Sequence, residues 1–267
     1  MAEDGVNINI DKIFLRFDQA LNRERYFSRI GQHGAENINS IEDWGCQIDE
    51  FTYSLATPSQ ETKEAFKNLF PLWLSTNLIR DIIEHFTYGY ENIYHSCLVA
   101  SLASDGVIPA NSSYDLNRLK SFKDAGLDDK RKILKKDFGI DFSKHELKEI
   151  FKSFKDIRNC LSHNRGIVDK DMGHSGKNGK RKIGWYTYKF YIGTAEKKIK
   201  LKIGQIIEGP ASLILKIDKH NKEFNVGEQI LFSRVELFEI ANTFEQLKKD
   251  LLMQIVSFLE QHITQKK

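Results

Sequence analysis

Apolar residues recur at helical spacing near the start of the chain, where Ile10, Ile13, Phe14, Phe17 and Leu21 mark one face of an amphipathic helix. A second helix is expected in "SIEDWGCQIDEFTYSL", behind a capping signature at Ser40, with Gly31 and Gly34 separating the two. Residues 59–104 carry the bulkiest apolar content and predict a long central helix that kinks or restarts at Pro71. "SDGVIPANSSYD" reads as loop, and residues 116–138 as one or two short, charged helices.

The sharpest pattern comes next. Ser143 and Glu146 have the spacing of a capping box, and Leu147, Ile150, Phe151, Phe154, Ile157 and Leu161 follow at helical intervals up to Gly166. The period then changes from helical to alternating. "DKDMGHSGKNGKRK" is polar loop, whereas "KIGWYTYKFYIG", "KKIKLKIG" and "SLILKI" read as strands of a small antiparallel sheet. Ser233 and Glu236 then cap a last long helix marked by Phe238, Ala241, Phe244, Leu251, Ile255 and Leu259. The expected architecture is mainly α: an N-terminal helical extension over 1–58, and a helical bundle over 59–264. A β-rich insertion at 168–230 interrupts the bundle before its last helix.

Composition narrows the picture further. In 267 residues, 40% hydrophobic and 29% charged positions are ordinary globular values, which excludes general disorder. Cys46, Cys97 and Cys160 have no short paired spacing, so neither a disulfide framework nor a zinc knuckle is expected, and a reducing cytoplasm fits them. No apolar run approaches the length of a bilayer span, so no membrane partner is expected. A net charge of +3 permits a polyanion partner without requiring one. Local clusters say more: "DDKRKILKK", "KNGKRK" and "KKIKLK" could meet a phosphate backbone or simply form solvated faces. If the sheet binds RNA, Lys177, Lys180, Arg181 and Lys182 form its natural phosphate-contacting arm. The aromatics of "WYTYKFY" would then stack bases, although a buried sheet face explains them as well.

The candidate chemistry lies in "KDIRNCLSHNRG", at the end of the best-signalled helix. Each helical residue turns about 100°, so Asn159 and His163 share a face while Arg158 lies about 140° from His163. "RNCLSH" resembles the signature of HEPN-domain ribonucleases, an arginine and a histidine separated by four residues, with asparagine after the arginine. The resemblance covers the bundle from about residue 60 to 264 and implies a HEPN-like helical bundle that dimerises. It implies Arg158 and His163 as the catalytic pair, with Asn159 as the supporting polar residue.

The chemistry suits these side chains. RNA carries its own nucleophile in the 2'-hydroxyl, so a nuclease without metal or cofactor needs a base, an acid and a cation. Histidine serves both proton roles near neutral pH, and arginine grips phosphate oxygens in pairs. One histidine per chain leaves one role unfilled, which again points to a homodimer. The expected activity is metal-independent endonucleolytic cleavage of RNA in toxin, defence or RNA-processing work, with an antitoxin or defence-system protein as a further partner. The alternative is a catalytically silent HEPN protein acting as an RNA-binding or protein-interaction adaptor.

The same spacing occurs a second time, in "RDIIEH", Arg80 to His85. It lacks the asparagine, and Glu84 indicates ordinary surface pairing. Cys160, three residues before His163, raises the further option of a thiol–imidazole pair, set against simple packing of a lone core cysteine. The remaining histidines show no ligand spacing, so no metal is expected.

Overall fold

The computed structural model describes residues 8–40, 45–48, 51–54, 58–104, 113–163, 166–169, 180–193, 198–201 and 212–263. The helices are α1 (Ile10–Ile13), α2 (Leu15–Glu36), α3 (Gln60–Ser104), α4 (Ser113–Asp124), α5 (Leu127–Phe138), α6 (His145–His163) and α7 (Arg234–Ile263). Strands β1 (Gly45–Ile48) and β2 (Phe51–Ser54) form one antiparallel pair. Strands β3 (Lys180–Gly193), β4 (Lys198–Lys200) and β5 (Leu213–Asn225) form a second sheet in the order β4-β3-β5. The mainly helical class and the antiparallel sheet ahead of the last helix therefore match the sequence reading.

Two N-terminal expectations are corrected. Gly31 and Gly34 do not end the first helix; α2 runs through both to Glu36. A Cβ on Gly31 would lie 2.7 Å from Phe70 Cζ, so glycine serves there to let α3 approach closely. The second expected helix is instead the β1–β2 hairpin, in which Cys46 pairs with Tyr53 and Ile48 with Phe51. At Pro71 the helix does not restart: α3 spans 45 residues with the proline inside it.

The four longest helices share one core. Phe86 of α3 is fully buried at its centre, with ring centroids 5.1 Å from Phe17 of α2, 5.3 Å from Phe151 of α6 and 5.6 Å from Phe244 of α7. Truncating such a phenylalanine to alanine costs about 3–5 kcal/mol. Because Phe17 and Leu21 belong to this same cluster, α2 is a member of the bundle.

The helix ends differ in what holds them. At α7 the capping box forms in both directions: Glu236 N–H donates to Ser233 Oγ (3.3 Å) and Ser233 N–H to Glu236 Oε2 (2.7 Å). At α6 the expected box is replaced by a tertiary contact. Ser143 donates its backbone N–H (2.8 Å) and its hydroxyl to the buried carboxylate of Asp250 on α7.

The sheet is tied to the bundle by side chains of α6 and α7. Gly184 N–H donates to Ser153 Oγ (3.2 Å), Tyr186 N–H to Thr243 Oγ1 (2.9 Å) and Trp185 Nε1 to Glu239 Oε2 (3.0 Å). Its stem closes where Ile230 N–H donates to Gly166 O (2.7 Å) and Val168 N–H to Glu228 O (3.0 Å). Gly166, with φ of 76°, makes the left-handed turn that leads α6 into this stem.

Candidate functional site

Helix α6 buries Leu147, Ile150, Phe151, Phe154, Ile157, Cys160 and Leu161, which fixes its rotation against the core. That rotation leaves Lys155, Arg158 and Asn159, spaced three and four apart, on one rim. With Ile83, Glu84 and Thr87 of α3 and Leu127 of α5 they line a cleft of about 330 Å³. Arg158 Nη1 donates to Asn159 Oδ1 (3.4 Å), and Nη2 lies 3.7 Å from Glu84 Oε1. The same Glu84 oxygen lies 3.8 Å from Arg80 Nε, so one carboxylate bridges the arginines of both repeats of the spacing. Lys155 pairs with Asp128 of α5.

The structure thus brings Arg158 and Asn159 together and leaves His163 apart. His163 is the last residue of α6, is exposed, and is not among the residues lining the cleft. Five helical positions separate it from Arg158, about 7.5 Å along the axis and on a different face. The turn residues Asn164 and Arg165 lie outside the described residues.

The second repeat sits in a polar network that is partly exposed. His85 Nε2 lies 3.4 Å from Asp81 Oδ1 and 3.3 Å from Arg23 Nη2, and Arg23 also donates to Asp81. Next to Asp81 lies Glu24 of α2, 5% exposed. Burial, then the hydrogen bond to Asp81 and its charge, push the Glu24 carboxyl up to about 9, against the opposing pull of Arg23. Asp81 goes the other way: burial raises it but is outweighed by hydrogen bonds from Glu24 and Arg23, leaving it below its ordinary value. A neutral Glu24 therefore shares its proton with an ionised Asp81 at neutral pH. Among the described residues, no hydrogen-bond donor reaches Glu24 Oε2, which is buried.

Sequence reasoning missed this pair because its members lie on different helices. A signal existed nonetheless. Phe17, Leu21, Glu24 and Ser28 follow the helical stripe that α2 buries, and a carboxylate on an apolar stripe requires a partner.

The basic arm expected at the sheet is exposed only in part. Lys180 and Lys182 are exposed, with Lys180 Nζ 3.4 Å from Glu223 Oε2; Lys177 lies outside the described residues. Arg181 is a correction: it is 4% exposed and its guanidinium faces Asp156 of α6 at 3.9 Å, so it joins sheet to helix instead of meeting solvent. Of the aromatics Trp185 alone is buried, while Tyr186, Tyr188 and Tyr191 are half-buried. Trp185 is fully buried against Phe232 and His220, and Tyr188 donates its hydroxyl to Asn242 O (3.2 Å), while Phe190 is exposed. Cys160 is fully buried, and burial pushes its thiol up from its ordinary value. The thiol–imidazole option is set aside accordingly.

Among the described residues, no group of three or more His, Cys, Asp or Glu side chains is placed to hold a metal ion, and no helix is long and apolar enough to cross a membrane. No family model, curated protein or solved structure matches the chain.

Proposed function

We propose that the chain is a metal-independent endoribonuclease of the HEPN type. The observation that carries this reading is the α6 rim, where Arg158, steadied by Asn159 and Glu84, fronts an open cleft with Lys155 beside it. A phosphodiester entering the cleft replaces Glu84 as the partner of the Arg158 guanidinium. Two N–H groups then follow the charge that grows on the non-bridging oxygens during attack. The 2'-hydroxyl attacks its own phosphorus, the 5'-oxygen leaves, and the products are a 2',3'-cyclic phosphate and a 5'-hydroxyl. DNA, lacking that hydroxyl, resists.

Proton transfer falls to His163. Because it lies outside the cleft of its own chain, the reading requires a second copy whose α6 end meets the first. Two imidazoles, one as base and one as acid, then flank the phosphates held by the two arginines. The protein is accordingly a homodimer that acts on RNA. Its setting is toxin, defence or RNA-processing chemistry, with an antitoxin-like or defence-system protein as the controlling partner and the cytoplasm as the site of action.

One observation favours a second reading, a catalytically silent HEPN adaptor that binds RNA or protein. Glu84 already neutralises Arg158 and competes with any phosphate. Labelled RNA incubated with the purified protein in EDTA separates the two. Cleavage that disappears in both Arg158→Ala and His163→Ala, with the fold intact, supports the nuclease; binding without scission supports the adaptor.

A further inference from the structure

The two sides of the long β3–β5 ladder end differently. In an antiparallel ladder each residue turns both backbone groups either to its partner or away from it, in alternation. Gly193 N–H donates to Ser212 O in continuation of the β3–β5 register, so odd-numbered residues of β3 and even-numbered residues of β5 face each other. The even-numbered groups of β3 look to the other side, and there they are met: Gly184 N–H by Ser153, Tyr186 N–H by Thr243, and Phe190 O by Leu201 N–H (2.9 Å). On β5 the outward groups belong to Leu213, Leu215, Ile217, Lys219, Asn221 and Glu223. Among the described residues, no backbone or side-chain group is hydrogen-bonded to them. A long open edge of this kind is a template for a further strand.

The side chains of β5 say which strand fits. Leu213, Leu215 and Ile217 are exposed on one face, and exposed Phe190 and Ile199 extend that face across β3 and β4. On the opposite face Lys216 Nζ lies 2.9 Å from Asp218 Oδ1, and the two flank Ile217 symmetrically. If a second β5 runs antiparallel along the edge with the twofold axis at Ile217, Lys216 of each copy stands directly opposite Asp218 of the other. Both then sit in the non-hydrogen-bonded pairs, where side chains approach most closely. The same axis joins the two apolar patches at Ile217 and lets the outward groups of residues 213 to 221 satisfy one another. Neighbouring registers do worse. An axis at Lys216 opposes two ammonium groups, one at Asp218 opposes two carboxylates, and one near Asn221 carries Leu213 and Leu215 past the end of the partner strand. We propose that the open edge of β5 is an interface for a second copy of this chain, which pairs β5 with β5 about a twofold axis at Ile217 and makes one six-stranded sheet. An isologous contact of this kind closes on itself and leaves no edge for further growth at β5. The proposal does not rest on the nuclease reading, whose contact between α6 ends is a separate surface.

The test is sedimentation velocity of the full-length protein over a concentration series, at low salt where exposed charges are least screened. The expected result is reversible self-association through β5. Lys216→Asp opposes carboxylates at two places about the axis and Asp218→Lys opposes ammonium groups there, so each raises the dissociation constant by about tenfold or more. An equimolar mixture of the two variants recovers the wild-type affinity, because every carboxylate of one chain then faces an ammonium of the other. A loss of fold cannot produce that recovery, and melting curves of the single variants verify their stability. If the α6 ends also associate, the wild type is a tetramer that either substitution halves.

A wild type that stays monomeric at every concentration overturns the interface. So does an assembly that neither substitution weakens, which would place the contact elsewhere, and so does a mixture that associates no better than its components. RNA cleavage assayed on the same samples is read separately. Cleavage in Lys216→Asp keeps the nuclease whatever happens at β5, whereas a mixture that recovers association without any cleavage keeps the β5 contact and removes the nuclease.

Discussion

Arg80 to His85 and Arg158 to His163 have the same spacing, lie on helices packed against one another, and share Glu84 as a partner for their arginines. Their histidines nevertheless have opposite surroundings. His85 precedes Phe86, the centre of the core, and its ring is held between Arg23 and Asp81 of a network that also contains Glu24. His163 ends its helix in solvent. A proton-transfer group has to be free to reach a substrate atom; His163 is exposed at its helix end, whereas His85 is partly exposed and its ring already faces Asp81 and Arg23. The spacing is therefore a weak guide by itself; where each helix stops, and what the neighbouring helix brings, separates a structural histidine from a candidate acid–base.

The largest expected effect tests this contrast directly. His163→Ala lowers RNA cleavage by about 10²–10⁴-fold, while His85→Ala changes it by less than about threefold, measured as initial rates on a labelled transcript. Equal losses in both variants would erase the distinction between the repeats.

Next in size is the proton held beside the second repeat. Glu24 titrates near 9 in the folded protein, above its ordinary value of 4.5. Between those values the native state keeps a proton that the unfolded chain has released. The contribution of Glu24 is therefore most favourable below about 4.5 and declines as pH rises toward 9. Glu24→Gln removes the titration and keeps a donor for Asp81. Its melting temperature relative to wild type should thus rise between pH 5 and pH 8, at about 2–4 °C per kcal/mol of added stability. A constant difference across that range would place the proton elsewhere.

The smallest effect concerns the bridge itself. Both arginine pairs with Glu84 are a third to half exposed and 3.7–3.8 Å long, so Glu84→Gln changes stability by less than about 1 kcal/mol. Releasing Arg158 toward phosphate should instead tighten RNA binding and steepen its salt dependence, by about 0.7 in the log–log slope for each further phosphate that the protein neutralises. Fluorescence anisotropy of the His163→Ala protein on a labelled oligoribonucleotide over a salt series reads both quantities.

These contrasts also mark how far the sequence could be read. Helix α6 was legible because seven buried positions keep a strict helical period, and α7 because Ser233 and Glu236 satisfy each other within one turn. The same spacing at Ser143 was misleading, since Asp250, 107 positions away, offers two carboxylate oxygens and outcompetes Glu146. Gly31 and Gly34 looked like breaks because glycine weakens a helix locally, but Phe70 packing onto Gly31 offsets that cost from outside the helix. The hairpin was hidden by its brevity, with four residues in each strand. Arg181 looked like part of a solvated basic run, yet the alternation of β3 turns it inward toward Asp156 while Lys180 and Lys182 remain outside.

The order of the long helices and of the three-stranded sheet, the apolar face of α6 and the identities of Arg158, Asn159 and His163 were set by the sequence alone, because periodicity and residue chemistry are properties of neighbours in the chain. The tertiary structure alone decided that Glu84 links two arginines, that Glu24 meets Asp81, and that one histidine is held in a polar network while its counterpart is presented to solvent. Burial and charge pairing depend on groups far apart in sequence, and only the packing of α2, α3 and α6 brings those groups within reach of one another.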